Sequence, residues 1–187
     1  MEKPLFIISG PSGAGEDSVI EGLRSHFPIE RVITTTSRAM REGEQNGEPY
    51  FFITDTEFRN RITDDEFVEY AEQYNGKLYG VTKGEIERVR NSGKIGIWKI
   101  EYKGVMQAKK QFEGIIAILI DAPIEVLEDR MRRRGGMTEE QIRERLEYTR
   151  EWLRHRDIYD HSVTNVEGKL DETIEQVANI IRSELST

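Results

Sequence analysis

FIISGPSGAGEDSVIEGL, Phe6 to Leu23, decides the fold. A short apolar run ends in a turn holding Gly10, Gly13 and Gly15, and the turn leads directly into a segment with Val19, Ile20 and Leu23 on one helical face. Strand, glycine-rich turn, helix is the context of a phosphate-binding loop, G-x-x-x-x-G-K-[ST], in which glycines let successive backbone N–H groups converge on an anion. Gly10 and Gly15 have the right spacing, but Glu16 stands where the pattern has lysine and Asp17 where it has a hydroxyl. The loop residues Gly10, Ser12, Gly13, Ala14, Gly15, Glu16, Asp17 and Ser18 are therefore a candidate polyphosphate site with an electrostatic difficulty. A carboxylate about 5 Å from a phosphate charge costs on the order of 3 kcal/mol at an effective dielectric near ~20, and the lysine's comparable attraction is lost as well. A divalent cation reverses the sign, because Asp17 occupies the position that normally touches the metal and a carboxylate is a good hard-oxygen ligand. Asp17 is the candidate metal ligand, and Ser18 keeps a hydroxyl beside it.

The same alternation continues along the chain. PLFIIS, IGIWKI and GIIAILI are apolar runs short enough for buried strands, and helical stretches begin after Gly15, near Thr54, near Thr82, after Pro123, at Thr138 and at Leu170. Such a pattern argues for an α/β fold with a parallel sheet covered by helices. The last helix carries one stripe, Leu170, Ile174, Val177, Ile181 and Leu185, with Asp171 and Glu172 in its first turn. A length of 187 residues suits one domain with a substantial core. EGEQNGEPY and RRRGGMTEE are polar turn clusters that read as insertions on a scaffold.

A net charge of −8 argues against nucleic acid or an anionic membrane surface as partner, while small anionic ligands stay open. The chain has no cysteine, which removes disulfides, thiolate metal sites and thiol nucleophiles, and its three histidines lack ligand spacing. The opening MEKPLFIISG has too short an apolar run for a signal peptide or a span, so a cytoplasmic location is expected.

From Thr34 the chain reads TTTSRAMREGEQNGEPYFF, then EFVEYAEQYNGKLYG, GKIGIWKIEYKG, EDRMRRRG and YDHSVTN. In these motifs, taken in order over essentially its whole length, it resembles the guanylate kinases. Arg38 and Arg41, three apart, could fork around a phosphate monoester with Tyr50 and Tyr79 as phenolic donors, and the resemblance gives these four residues that role. It makes Glu69 the acid that accepts from guanine N1–H and the exocyclic amine, a donor pair adenine lacks. Thr34 keeps the hydroxyl type expected near the base, Thr82 follows Val81 where the family commonly has a hydroxyl, and Glu101 keeps a carboxylate in the same site. Arg134 and Arg145 take transition-state or phosphate contacts on a mobile lid and its following helix, and Arg130 a place beside adenine. Asn165 matches a family asparagine to which no catalytic role is carried over.

The family's strand aspartate is here Lys99. The loop thus lost a cation at position 16 while the strand facing it gained one. The expectation is a charge exchange: Lys99 reaches the phosphates or pairs with Glu16, and Asp17 or Glu16 takes the metal contact. The resemblance implies a three-layer P-loop kinase with a central parallel sheet, comprising a core (1–33, 89–131, 146–187), a GMP-binding insertion (34–88) and a mobile lid (132–145). The implied reaction is ATP + GMP giving ADP + GDP with Mg²⁺, its partners the two nucleotides. The alternative is a non-catalytic guanylate-kinase-like module that holds GMP or a phosphorylated or acidic peptide in the same pocket, the one reading that brings in a protein partner.

Overall fold

The structure, a computed structural model, describes residues 4–73 and 76–186. Strand β1 (Leu5–Ser9) alternates its side chains, Phe6 and Ile8 entering one apolar cluster and Leu5 and Ile7 another. A strand buried on both faces has to be apolar at every position, which is why PLFIIS shows no polar alternation. Helix α1 (Glu16–Gly22) and strand β2 (Ile29–Arg31) follow. The chain then builds a smaller unit from β3 (Thr34–Thr36), β4 (Gln45–Asn46), β5 (Pro49–Phe52), α2 (Asp55–Thr63), β6 (Phe67–Glu72) and β7 (Leu78–Thr82). Helix α3 (Lys83–Arg90) returns it to β8 (Ile95–Trp98), α4 (Tyr102–Gln111), β9 (Ile116–Asp121), α5 (Ile124–Arg134), α6 (Glu139–Arg154), β10 (His161–Thr164) and α7 (Leu170–Glu184).

The main sheet is parallel throughout, in the order β10-β9-β1-β8-β2. One face packs on α1 and α7 through Val19, Ile20, Val177 and Ile181, and the other on α3, α4 and α6 through Ile86, Val105 and Trp152. These are the three layers the sequence implies. The smaller sheet is mixed, in the order β4-β5-β3-β7-β6, and closes over Phe58, Phe67 and Leu78. Although most of α3 falls within the 34–88 range of the expected insertion, its Ile86 belongs to the main core, together with Val89 just past that range.

Helix starts follow local chemistry. Thr54, Thr82 and Thr138 each accept a bond from the backbone N–H three residues on, and Thr138 forms a full capping box with Gln141. In the stripe of α7, Ile174, Val177 and Ile181 are buried, whereas Leu170 and Leu185 at its ends are exposed. Among the described residues no helix is long and apolar enough to cross a membrane.

The chain leaves β1 toward one face of the sheet through α1, and leaves β8 toward the other through α4. Adjacent parallel strands whose connections diverge leave a crevice at their carboxyl ends, the usual ligand position of an open α/β sheet. The glycine turn leaves β1 and Lys99 leaves β8 at that crevice.

Candidate active site

The turn after β1 is held open by residues that tolerate no side chain. Gly13 and Gly15 sit at φ 89° and 95°, and a Cβ on Gly10 would lie 2.3 Å from the Ile120 carbonyl oxygen. Arg130 donates to the Gly13 carbonyl at 3.1 Å and to the Asn165 carbonyl at 2.9 Å. Buried Asn165 donates its amide to the Ala14 carbonyl at 2.8 Å and accepts from Thr173. Arg145 reaches across from α6 to donate to the Ser12 hydroxyl at 2.9 Å. Three side chains distant in sequence therefore hold the loop, while its Ala14 N–H donates to the Pro11 carbonyl at 2.9 Å and its Gly15 and Glu16 N–H groups donate to the Glu16 carboxylate, the one anion now in the turn.

The two carboxylates in the loop have different surroundings. Asp17 lies between two cations, with Lys99 Nζ 2.5 Å from Oδ2 and an Arg31 Nη2 2.9 Å from Oδ1. Partial burial works to raise its pKa, but Lys99 and Arg31 outweigh it and hold the carboxyl below its usual range. Glu16 folds over Gly10, its Cγ 3.2 Å from where a Cβ there would stand. Burial pushes its pKa up to about 7, against the pull of Lys99. With Asp17 matched by two cations, the mouth of the loop carries no excess negative charge, and the penalty expected from sequence is cancelled locally. Lys99 pairs with Asp17 in contact and with Glu16 only through its field.

The arginine and tyrosine residues gather in the smaller unit. Arg38 makes a two-pronged pair with Glu44, at 2.8 and 2.9 Å, and lies over the rings of Tyr50 and Phe52. Its donors hold the Glu44 carboxyl well below the usual range. Arg41 donates its backbone N–H to the same carboxylate and leaves its side chain exposed, while Tyr50 and Tyr79 meet edge to face at 6.0 Å. In this arrangement Glu44 stands where a dianion between the two arginines would compete for them.

Glu69, on β6, is 6 % exposed and lies against α4 at Gly104, where a Cβ would stand 3.2 Å from its Oε2. Burial, and then the nearby Glu101 carboxylate, raise its pKa to about 8. Glu101 accepts from Gln73 and from Tyr148, both at 2.6 Å. Thr34 is partly exposed at the start of β3, and the Thr82 hydroxyl oxygen caps α3. Arg134 is exposed at the end of α5, before Gly135 at φ 70°, and its side chain makes no hydrogen bond or ion pair among the described residues.

The sequence model of the family described as Guanylate kinase matches residues 2–184. This chain belongs to the guanylate kinase family. It is 38% identical over 176 residues to the guanylate kinase of Fusobacterium nucleatum, covering 94% of this chain and 91% of that one. With the guanylate kinase of Porphyromonas gingivalis it shares 37% identity over 181 residues, 95% of each chain. The crystal structure of guanylate kinase from Anaplasma phagocytophilum superposes with a TM-score of 0.75 at 26% identity, over 98% of this chain and 86% of that one.

For a guanylate kinase family member, the charge arrangement at the loop bears on metal binding. Among the described residues no group of three or more His, Cys, Asp and Glu side chains could hold a metal ion. Both oxygens of Asp17 are already engaged by cations. The residues do not fit a metal site built by the protein at Asp17. Sequence reading also missed the partners that fix the site: Arg31 on Asp17, Glu44 on Arg38, Gln73 and Tyr148 on Glu101, and Asn165 on the loop. The signal available for Asn165 was its match to a family asparagine; for the others, pairing across the fold left none.

The buried acid predicts a stability profile. Below about pH 4.5 Glu69 is protonated folded and unfolded; between there and about 8 only the folded form keeps the proton, and above 8 both lose it. The unfolded state therefore binds fewer protons within that window, and this group makes stability fall as pH rises through it. Urea unfolding at a series of pH values is expected to show a declining slope that flattens in Glu69→Gln.

Proposed function

We propose that this protein transfers the γ-phosphoryl group of ATP to GMP, giving ADP and GDP. The observation that carries the reading is the position of Lys99. Its ammonium touches Asp17 at the loop, and its charge also acts on the Tyr50 phenol, opposing the burial that raises that group's pKa. One cation thus touches the glycine loop and acts through its field on the arginine–tyrosine pocket, as a migrating phosphoryl group would need. Phosphoryl transfer asks the protein for positioned positive charge and excluded water more than for covalent chemistry.

In this reading the loop amides hold the ATP phosphates and Arg130 borders adenine. Arg38 and Arg41, with Tyr50 and Tyr79, hold the GMP phosphate, and Arg38 gives up Glu44 for the incoming dianion. Glu69 ionises and accepts from guanine, with Glu101, Thr34 and Thr82 around the base. Arg145, already on Ser12, and Arg134 at the end of α5 supply further charge once the 132–145 lid and the 34–88 insertion close on the core. With Asp17 paired to Arg31 and Lys99, a divalent cation would have to come with the nucleotide, where it would supply positive charge against the triphosphate.

Calorimetric titration of ATP–Mg²⁺ and of GMP separately tests the reading. Both are expected to bind. GMP binding at pH 7 should release close to one proton, because Glu69 starts protonated and must become an acceptor, so the measured heat should vary with the ionisation enthalpy of the buffer. Binding of GMP without ATP would overturn the transfer reading and leave a nucleotide-binding module.

A further inference from the structure

We propose that Arg31 is a positioning residue for phosphoryl transfer, retaining the Asp17 carboxylate when Lys99 leaves it for the migrating phosphoryl group. The inference rests on the transfer reading above. Arg31 ends β2 and stands in register with Ile97 of β8, and Lys99 lies two residues past Ile97. The two cations therefore come from the carboxyl ends of neighbouring strands and take opposite oxygens of one carboxylate, Arg31 at 2.9 Å and Lys99 at 2.5 Å.

The backbone around Arg31 is fixed on both sides. Its carbonyl accepts from Arg88 at 2.9 Å, the next N–H donates to the Ile97 carbonyl, and the Ile33 N–H donates to the Glu85 carboxylate at 2.7 Å. Arg31 thus has a rigid base, whereas Lys99 ends in a flexible stem. If Lys99 alone faced Asp17, its departure would leave a bare carboxylate beside a polyphosphate, and the repulsion would hold the ammonium back. With Arg31 in place the carboxylate stays compensated, and Lys99 can exchange one anion for another. Asp17 is largely exposed. An ion pair so open to water adds little to folding stability, so the effect of losing it should appear in the reaction.

The test is steady-state kinetics on Arg31→Ala, Asp17→Asn and the double variant, with GMP and ATP–Mg²⁺ as substrates. Arg31→Ala should lower kcat about tenfold, leave KM for GMP within twofold and leave Tm nearly unchanged. Asp17→Asn in the Arg31→Ala background should restore most of that kcat, since no carboxylate then detains Lys99; a merely structural arginine would show no such rescue. Arg31→Gln, which keeps the polar stem, repeats the comparison should the alanine variant fail to fold. An unchanged kcat in Arg31→Ala, or a double variant no faster than Arg31→Ala, overturns the inference while the transfer reading stands. A parent protein that binds both nucleotides yet transfers no phosphoryl group overturns both.

Discussion

Lys99→Ala is expected to lower kcat/KM for ATP by about 10³-fold with GMP saturating, while GMP affinity changes little. Two losses combine. A unit charge about 5 Å from a phosphate at an effective dielectric near ~20 contributes on the order of 3 kcal/mol, and its removal also leaves Asp17 facing the triphosphate with one cation fewer. Each ~1.4 kcal/mol is tenfold in rate, so the first loss alone exceeds 10²-fold. Lys99→Arg should recover part of the rate, because the charge returns on a bulkier head. A coupled assay of ADP formation reads these numbers, and rates for Lys99→Ala within twofold of the parent would show that this ammonium is not the missing cation of the loop.

Glu69→Gln should cost about 10²-fold in kcat/KM for GMP and narrow the preference for GMP over AMP by more. The carboxylate offers two acceptors to two guanine donors, whereas the amide offers one acceptor and turns a donor toward the other. Hydrogen bonds to a charged group contribute about 1.5–3 kcal/mol each, and a donor set against a donor adds its own penalty. Adenine presents an acceptor and a donor, which an amide can meet. Competing GMP and AMP at equal concentration and measuring both diphosphates gives the ratio directly. A ratio unchanged from the parent would mean that Glu69 does not read the base.

The parts of the fold that were legible are those where burial acts on consecutive residues. β1, β8 and β9 are covered on both faces, so their apolar runs stand out, and helices opening on Thr54, Thr82 and Thr138 carry a capping signal in the chain itself. β2 and β10 went unread because three or four residues with polar members, Ile29–Arg31 and His161–Thr164, have no periodicity to detect. α4 went unread as well: it opens without a side-chain cap and carries Gly104, a poor helix residue kept where the Glu69 carboxylate presses close. The strands of the smaller sheet run from two to six residues and owe their pairing to one another more than to pattern.

At the site, the glycine turn and the residues matched to family motifs could be named from the chain, because spacing along it was enough. Their partners could not. Asp17 meets Arg31 and Lys99, 14 and 82 positions away, and Asn165 meets Ala14 across 151. The sequence showed a cation gone from position 16 and another present at 99, and the structure gives the pairing, which runs to Asp17 where Glu16 was the expected contact. The raised pKa of Glu16 had no sequence signal at all, since it depends on the side chain folding back over Gly10.

The carboxylate clasped by two strand-borne cations also limits how this protein can change over generations. Returning a lysine to position 16 while Lys99 and Arg31 stay would crowd three positive side chains around one acid. Removing Lys99 first would strip the mouth of its counter-charge. A mutational path to a lysine-bearing loop that begins by removing Lys99 passes through an impaired intermediate, so positions 16, 17, 31 and 99 are expected to change in a set order.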